Sequence, residues 1–156
     1  MAPGLVGRGL RGCLREGPAL QDFEPFVVAA RQARTAGHPD QARELYAKAA
    51  ERARAAGAAA PLAHALRHIS DLDREAGQAE RALIAADEAV GLYRASPDAT
   101  PLDLANALRL SALAREALGR PAVDLWREAG ALYLAADVEA GVEEAERRLG
   151  VRLSGR

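Results

Sequence analysis

The fold is decided by three segments of sequence: ARELYAKAA at 42–50, ALIAADEAV at 82–90 and AVDLWREAG at 122–130. Each begins 40 residues after the one before it and has alanine at its first and eighth positions. The fifth position is Tyr46, Ala86 or Trp126. Positions one, five and eight share one face of an α-helix, because a turn takes about 3.6 residues. The segments therefore predict three equivalent helices in a repeating architecture.

A second set of signals predicts a helix before each of these segments. Gly37, Gly77 and Gly119 suit the left-handed residue beyond a helix C-terminus. Thr100 followed by Asp103 suits a helix N-cap with a carboxylate in the first turn. We predict seven helices, with the first helix of the third unit two residues longer than that of the second. They are placed at 22–36, 39–56, 61–76, 78–95, 101–118, 121–135 and 138–149.

Composition supports an all-α fold and excludes several classes of function. The chain has 156 residues, of which 49% are hydrophobic but only 4% aromatic, and alanine supplies much of the apolar content. Alanine favours helices packed at short distances, and no alternating strand pattern is found. The formal net charge of -1 argues against nucleic-acid binding. With Cys13 as the one cysteine and no membrane-spanning stretch, we expect a cytoplasmic protein.

The domain organisation follows from the repeat. We expect a flexible N-terminal tail at 1–20, a helical repeat domain at 21–150 and a C-terminal tail at 151–156. The last helix carries Glu143, Glu144, Glu146, Arg147 and Arg148, so we expect it to face water, as the cap of a stack requires. The repeat units are placed at about 22–56, 61–95 and 101–135, followed by the capping helix.

The units resemble tetratricopeptide repeats (TPR), in the 40-residue variety found in kinesin light chains. The resemblance rests on small residues where the two helices of a hairpin touch, a turn glycine, and an alanine, aromatic, alanine series in the second helix. Asp73 and Arg115 depart from it, because the family usually has tyrosine or a small residue there. The resemblance implies a right-handed α-α superhelix whose first helices line a concave, ligand-binding face. The matching residues are Ala29, Ala30, Gly37, Ala42, Tyr46 and Ala49, then Ile69, Ser70, Gly77, Ala82 and Ala89, then Ala112, Gly119, Ala122, Trp126 and Ala129.

Candidate groove residues are those on the first helices that face away from their hairpin partner. Helical spacing places several of them in one polar strip, since residues three and four apart share a face. Arginines among them suit carboxylate recognition by paired hydrogen bonds. Alternatively, the charged side chains pair with one another on a solvated face. The candidates are Arg31, Arg34, His64, Arg67, Asp71, Arg74, Asn106 and Arg109, of which Arg31, Arg67, Arg74 and Arg109 form a predicted arginine seam.

We therefore expect a protein- or peptide-binding scaffold that is not an enzyme, with no cofactor and no bound metal. The expected partner is a protein or peptide, without nucleic-acid or membrane binding, and the chain is a monomer or weak homodimer. A self-associating structural module is the alternative, motivated by Phe23 and Phe26 at the uncapped end. A metal or catalytic use of His64, His68 and Asp71 is less favoured, because no HExxH arrangement accompanies them. Trp126 and the tyrosines are expected to pack between hairpins.

Overall fold

A computed structural model describes residues 20–21 and 23–153. Within that part of the chain the structure has seven α-helices and no strand, and the predicted all-α solenoid of seven helices is confirmed. Residues 1–19, with most of the predicted N-terminal tail and Cys13, lie outside the described residues, as do 154–156. The helices are α1 (Phe23–Thr35), α2 (Pro39–Ala55), α3 (Ala59–Glu75), α4 (Ala79–Ala95), α5 (Pro101–Ala117), α6 (Val123–Ala135) and α7 (Glu139–Leu149).

Each helix packs against the next one along the chain, so the core is continuous through the stack. The alanines at the first and eighth positions of the repeated segments are buried, and such small residues let helices approach closely. Tyr46 and Trp126, which stand between those alanines, are each 1% exposed. Tyr93 and Tyr133 are also buried. The prediction that these aromatic residues pack between hairpins is confirmed.

The first helices of the units form one row and the second helices form another. Successive first helices α3 and α5 contact one another directly. Ion pairs also join first helices, Arg34 with Asp71 and Arg109 with Glu144. Among the second helices, Arg54 pairs with Glu88 at 2.7 Å and Arg94 with Glu128 at 2.5 Å. The second of these two second-helix pairs lies 40 residues after the first, in step with the repeat. We call the first helices α1, α3, α5 and α7 the inner row, since the one extensive contact between non-consecutive described helices, that of α3 with α5, lies in this row.

The turns between helices use left-handed residues as predicted. Gly37, Gly77 and Gly119 have φ values of 81°, 74° and 66°. After α6 the same conformation falls on Asp137, with φ 56°. An L-residue pays a steric cost there that glycine does not. At the start of α5, Thr100 and Asp103 form the reciprocal bonds of a capping box, so the predicted N-cap is confirmed.

Two helices begin two residues away from their predicted starts. Helix α3 begins at Ala59, which places Pro61 at its third residue, and α6 begins at Val123 with Ala122 as its N-cap. Proline is tolerated throughout a first turn, because N–H groups there have no acceptor within the helix. Helices α3 and α5 are consequently both 17 residues long, and the predicted difference in their lengths is wrong.

The C-terminal end also differs from expectation. Glu146 is buried, with 8% exposure, and accepts a hydrogen bond from the backbone N–H of Leu153 at 2.7 Å. Leu153 packs on the core, where its Cδ1 would lie 2.3 Å from a Cβ placed on Gly130. The expectation that Glu144 and Glu146 both face water is wrong, because Glu144 pairs with Arg109 and the chain beyond α7 folds over Glu146.

Candidate functional site

Four of the eight candidate groove residues line one cleft between α3 and α5. The cleft has a volume of about 170 Å³. Its position follows from the close approach of these two helices on the inner side of the solenoid. The other four candidates lie on α1 and α3 around it. The cleft is lined by Arg67, His68, Asp71, Asn106, Arg109 and Leu110.

Asp71 is held in a charged cluster that joins α1 to α3. It accepts hydrogen bonds from Arg34 and Arg74, each at 2.9 Å, and Arg34 also donates to Glu75 at 2.6 Å. Burial alone would raise the pKa of Asp71, but the bonds from Arg74 and Arg34 outweigh it and keep that pKa below its ordinary value. Asp71 is therefore a carboxylate at neutral pH, and two of the candidate arginines are already neutralised.

Arg109 and Asn106, on α5, also have partners within the chain. The Arg109 guanidinium binds Glu144 of α7 through Nε at 2.5 Å and Nη2 at 3.2 Å. Asn106 accepts a hydrogen bond from the Tyr133 hydroxyl at 2.9 Å. Burial raises the pKa of Tyr133 to about 12, against the opposing charge of Arg109. These contacts fix the α5 side of the cleft.

The two histidines of α3 are packed against an aromatic ring. His68 stacks on Tyr46, with centroids 4.6 Å apart and ring planes 7° from parallel, and His64 meets His68 edge-on at 4.8 Å. Burial, reinforced by His64 and the neighbouring arginines, lowers the pKa of His68 to about 3. Burial likewise lowers the pKa of His64. Both imidazoles are consequently neutral at physiological pH.

Arg67 differs from the other arginines of the α3–α5 cleft. Its Nε atom is buried and has no hydrogen-bond partner. Within the described residues its guanidinium forms no ion pair with any carboxylate. Its charge reaches Tyr46, Tyr93 and Tyr133, opposing in each the rise of pKa that burial causes. These three tyrosines belong to α2, α4 and α6, the second helices of the three units.

Arg31, the fourth member of the predicted seam, is exposed at the α1 side. Its charge acts on Tyr46, His64 and His68, as that of Arg67 does. The four arginines of the predicted seam therefore fall into two groups. Arg74 and Arg109 have carboxylate partners, whereas Arg31 and Arg67 have none among the described residues.

A metal or catalytic arrangement at His64, His68 and Asp71 finds no geometric support. The histidines contact Tyr46 and each other, while Asp71 is bound by Arg34 and Arg74. In the described part of the chain, no three His, Cys, Asp or Glu side chains are grouped so as to hold a metal ion. The sequence analysis placed these residues on one face of α3, but their contacts point to different neighbours.

Acidic residues that neutralise the groove were missed by the sequence analysis. Glu144 reaches Arg109 from 35 residues away, and Glu75 reaches Arg34 from 41. Asp73 was noted only as a departure from the repeat pattern. It is 2% exposed and binds Arg43 of α2 through both carboxylate oxygens, with Arg81 of α4 at 3.6 Å. Asp73 therefore joins three helices and takes no part in the groove.

Comparison with known proteins adds no relative: no protein-family model matches the chain, and no curated protein matches it. None of the described helices combines the length and the hydrophobicity needed to cross a lipid bilayer.

Proposed function

We propose that this chain is a TPR-like scaffold that binds an acidic segment of a partner protein in the groove of its first helices. The all-helical solenoid and the 40-residue sequence period support the architectural part of the proposal. The inner row of helices supports the choice of face, since solenoids of this kind present a concave surface to their ligands. As a scaffold, the chain would have no catalytic residues and no cofactor.

The observation that carries the proposal is the state of Arg67. Its buried Nε–H lacks an acceptor in the described structure, although buried donors are nearly always satisfied. The Nε atoms of Arg74 and Arg115 also lack a partner, but Arg34, Arg74 and Arg109 each have an ion pair with Asp71 or Glu144, which Arg67 does not. A ligand carboxylate at the α3–α5 cleft would supply the acceptor that Arg67 lacks.

The surroundings of Arg67 also favour an anionic ligand. His64 and His68 are neutral and add no competing charge, and Arg31 adds a second cation. Arginine binds carboxylates through two parallel hydrogen bonds, which are about twice as strong as those between neutral groups. The cleft volume of about 170 Å³ accommodates one side chain of the ligand. The remainder of a bound segment would lie along α1, α3 and α5.

A peptide-display selection on the full-length chain tests the proposal. We expect selected sequences to be enriched in Asp and Glu. We also expect Arg67→Gln to raise the Kd of the selected peptides about tenfold or more, because a hydrogen bond to a charged group contributes roughly 1.5–3 kcal/mol. Fluorescence anisotropy of the labelled peptide measures this change in Kd.

Arg127→Gln provides the matched control. Arg127 is an exposed arginine of the second-helix row, paired only with Asp124 on its own helix, and its replacement should leave the Kd unchanged. Selected peptides without acidic residues would contradict the proposal. So would a Kd that responds equally to the two substitutions.

A further inference from the structure

The second and third units carry an arginine and a tyrosine at equivalent positions. Arg67 and Arg109 are each the ninth residue of their first helix, α3 or α5. Tyr93 and Tyr133 are each the third residue from the end of the second helix that follows, α4 or α6. Both tyrosines are buried. The two hairpins can therefore be compared position by position.

In the third unit, the arginine and the tyrosine both have partners within the chain. Glu144 of α7 binds the Arg109 guanidinium at Nε and Nη2, and the Tyr133 hydroxyl donates to Asn106 at 2.9 Å. Burial is the main cause of the raised pKa of Tyr133, and the charge of Glu144 adds to it. This carboxylate therefore lies near both side chains, so α7 supplies an anion to the third unit.

In the second unit, the corresponding side chains are open. His64 is the sixth residue of α3, as Asn106 is of α5. It does not replace Asn106 as an acceptor, because the Tyr93 hydroxyl forms no hydrogen bond within the described chain. Arg67, which lies one turn beyond His64 on the same face of α3, has no carboxylate partner there. Since the Tyr133 hydroxyl reaches α5 at the equivalent position, two unsatisfied donors come together on this face.

One acid near this open position is already bonded elsewhere. Burial raises the pKa of Tyr93 to about 12, the charge of Arg67 opposes that rise, and the charge of Asp103 on α5 adds to it. The Asp103 carboxylate, however, accepts hydrogen bonds from the backbone N–H and the hydroxyl of Thr100. Asp103 is thus engaged as part of a helix cap and leaves both donors free.

We propose that the second unit receives a carboxylate of the bound acidic segment between Arg67 and the Tyr93 hydroxyl. This inference rests on the proposed function and adds Tyr93 as a residue that determines specificity. The contact of Glu144 with Arg109 shows the geometry expected at Arg67, with bonds from Nε and Nη2. The Tyr93 hydroxyl donates to the same carboxylate, whose two oxygens can accept several hydrogen bonds.

This pair of donors selects acidic side chains over their amides. A carboxylate has acceptors only, whereas the amide of Gln or Asn directs an NH₂ group at one of the two donors. A donor that is left unsatisfied in a buried site weakens binding. The site therefore distinguishes glutamate from glutamine by hydrogen bonding as well as by charge.

Binding of a fluorescein-labelled oligoglutamate peptide to the full-length chain tests this site. Tyr93→Phe removes only the hydroxyl, so we expect the Kd, measured by fluorescence anisotropy, to rise about fivefold. An oligoglutamine peptide is the matched control ligand, and its weaker binding should be the same in both chains. Urea unfolding verifies that Tyr93→Phe is folded under the assay conditions.

His64→Asn keeps both donors but places in α3 the acceptor that Asn106 provides in α5. The Tyr93 hydroxyl should then bond to the new side chain and no longer to the ligand. We expect His64→Asn to raise the Kd for oligoglutamate about as much as Tyr93→Phe does. The two substitutions combined should raise it no further, because both remove the same hydrogen bond.

Two results would overturn the role of Tyr93 and leave the proposed function intact. One is a Kd that rises in Arg67→Gln but not in Tyr93→Phe, and the other is a simple sum of the effects of His64→Asn and Tyr93→Phe. An equal effect of Tyr93→Phe on oligoglutamine would also overturn it, because the hydroxyl would not be selecting a carboxylate. An oligoglutamate peptide that does not bind, or that binds Arg67→Gln equally well, would contradict the proposed function itself and with it this inference.

Discussion

Adding one methyl group at Gly141 should weaken the packing of the last helix, α7, on the rest of the solenoid. A Cβ built on Gly141 lies 2.4–2.6 Å from ring carbons Cγ, Cδ1 and Cδ2 of Tyr133. Carbon atoms normally approach to about 3.5–4.0 Å, so either the ring or α7 must move by about 1 Å. The ring has little freedom, because it is buried and its hydroxyl is bound to Asn106 at 2.9 Å.

Two opposing terms set the size of this effect. Overpacking a tight contact costs about 1–3 kcal/mol, and replacing a helical glycine with alanine recovers about 0.5–1 kcal/mol. We therefore expect Gly141→Ala to lower the free energy of unfolding by about 0–2.5 kcal/mol. Gly91→Ala in α4 is the control, because a Cβ there meets nothing within 4 Å. It should stabilise the chain by about 0.5–1 kcal/mol.

Urea unfolding followed by two signals separates the contributions. Far-UV circular dichroism reports on all helices. The fluorescence of Trp126 reports on the C-terminal end, where Arg148 of α7 lies over its ring at 5.5 Å. Because α7 packs mainly against α6, its loss should appear first in the fluorescence. If Gly141→Ala were as stable as Gly91→Ala by both signals, the packing of Tyr133 on α7 would be refuted.

Three further predictions concern stability. Asp137→Gly should raise the free energy of unfolding by about 0.5–1 kcal/mol, since glycine adopts the left-handed turn without steric cost; an unchanged urea midpoint would contradict this. Asp73→Ala should lower the free energy of unfolding by about 2 kcal/mol, because the hydrogen bonds from Arg43 are lost. Asp124→Ala, which removes an exposed carboxylate, is the control. If both variants lost the same stability, the buried carboxylate would contribute nothing. The lowered pKa of His68, about 3 when folded, means that the unfolded chain binds the proton more readily. Stability from this group is therefore complete above about pH 6.5 and falls toward pH 3, by about 2 kcal/mol at pH 5. Urea unfolding at pH 7 and pH 5 measures this difference in stability, which should be smaller in His68→Phe. An equal difference in that variant would argue against the burial of the imidazole.

The second helices could be predicted from sequence because their signal is local. Alanines and an aromatic residue at positions one, five and eight mark a buried face, whatever lies opposite. The start of α3 could not be fixed, since Pro61 is compatible with any position in a first turn. Similarly, the burial of Glu146 depends on Leu153 folding back across α7, which no periodicity encodes.

The groove was less predictable than the fold, because charge pairing depends on distant parts of the chain. Sequence spacing predicted the same role in the groove for Arg67 and Arg109. The structure separates them, since Glu144 reaches Arg109 and no carboxylate of the described chain reaches Arg67. One long-range pairing does follow a pattern in the sequence. The ion pair of Arg54 with Glu88 recurs 40 residues later in Arg94 and Glu128.

The most direct test of the central claim is the NMR signal of the Arg67 Nε–H group during titration with an acidic peptide selected on the chain. We predict that this signal shifts on binding as Nε–H gains a carboxylate acceptor, together with backbone amides of α1, α3 and α5. The exposed faces of α2 and α4 should remain unchanged. A saturating titration that leaves the Arg67 signal in place, with shifts confined to the second-helix row, would contradict the account.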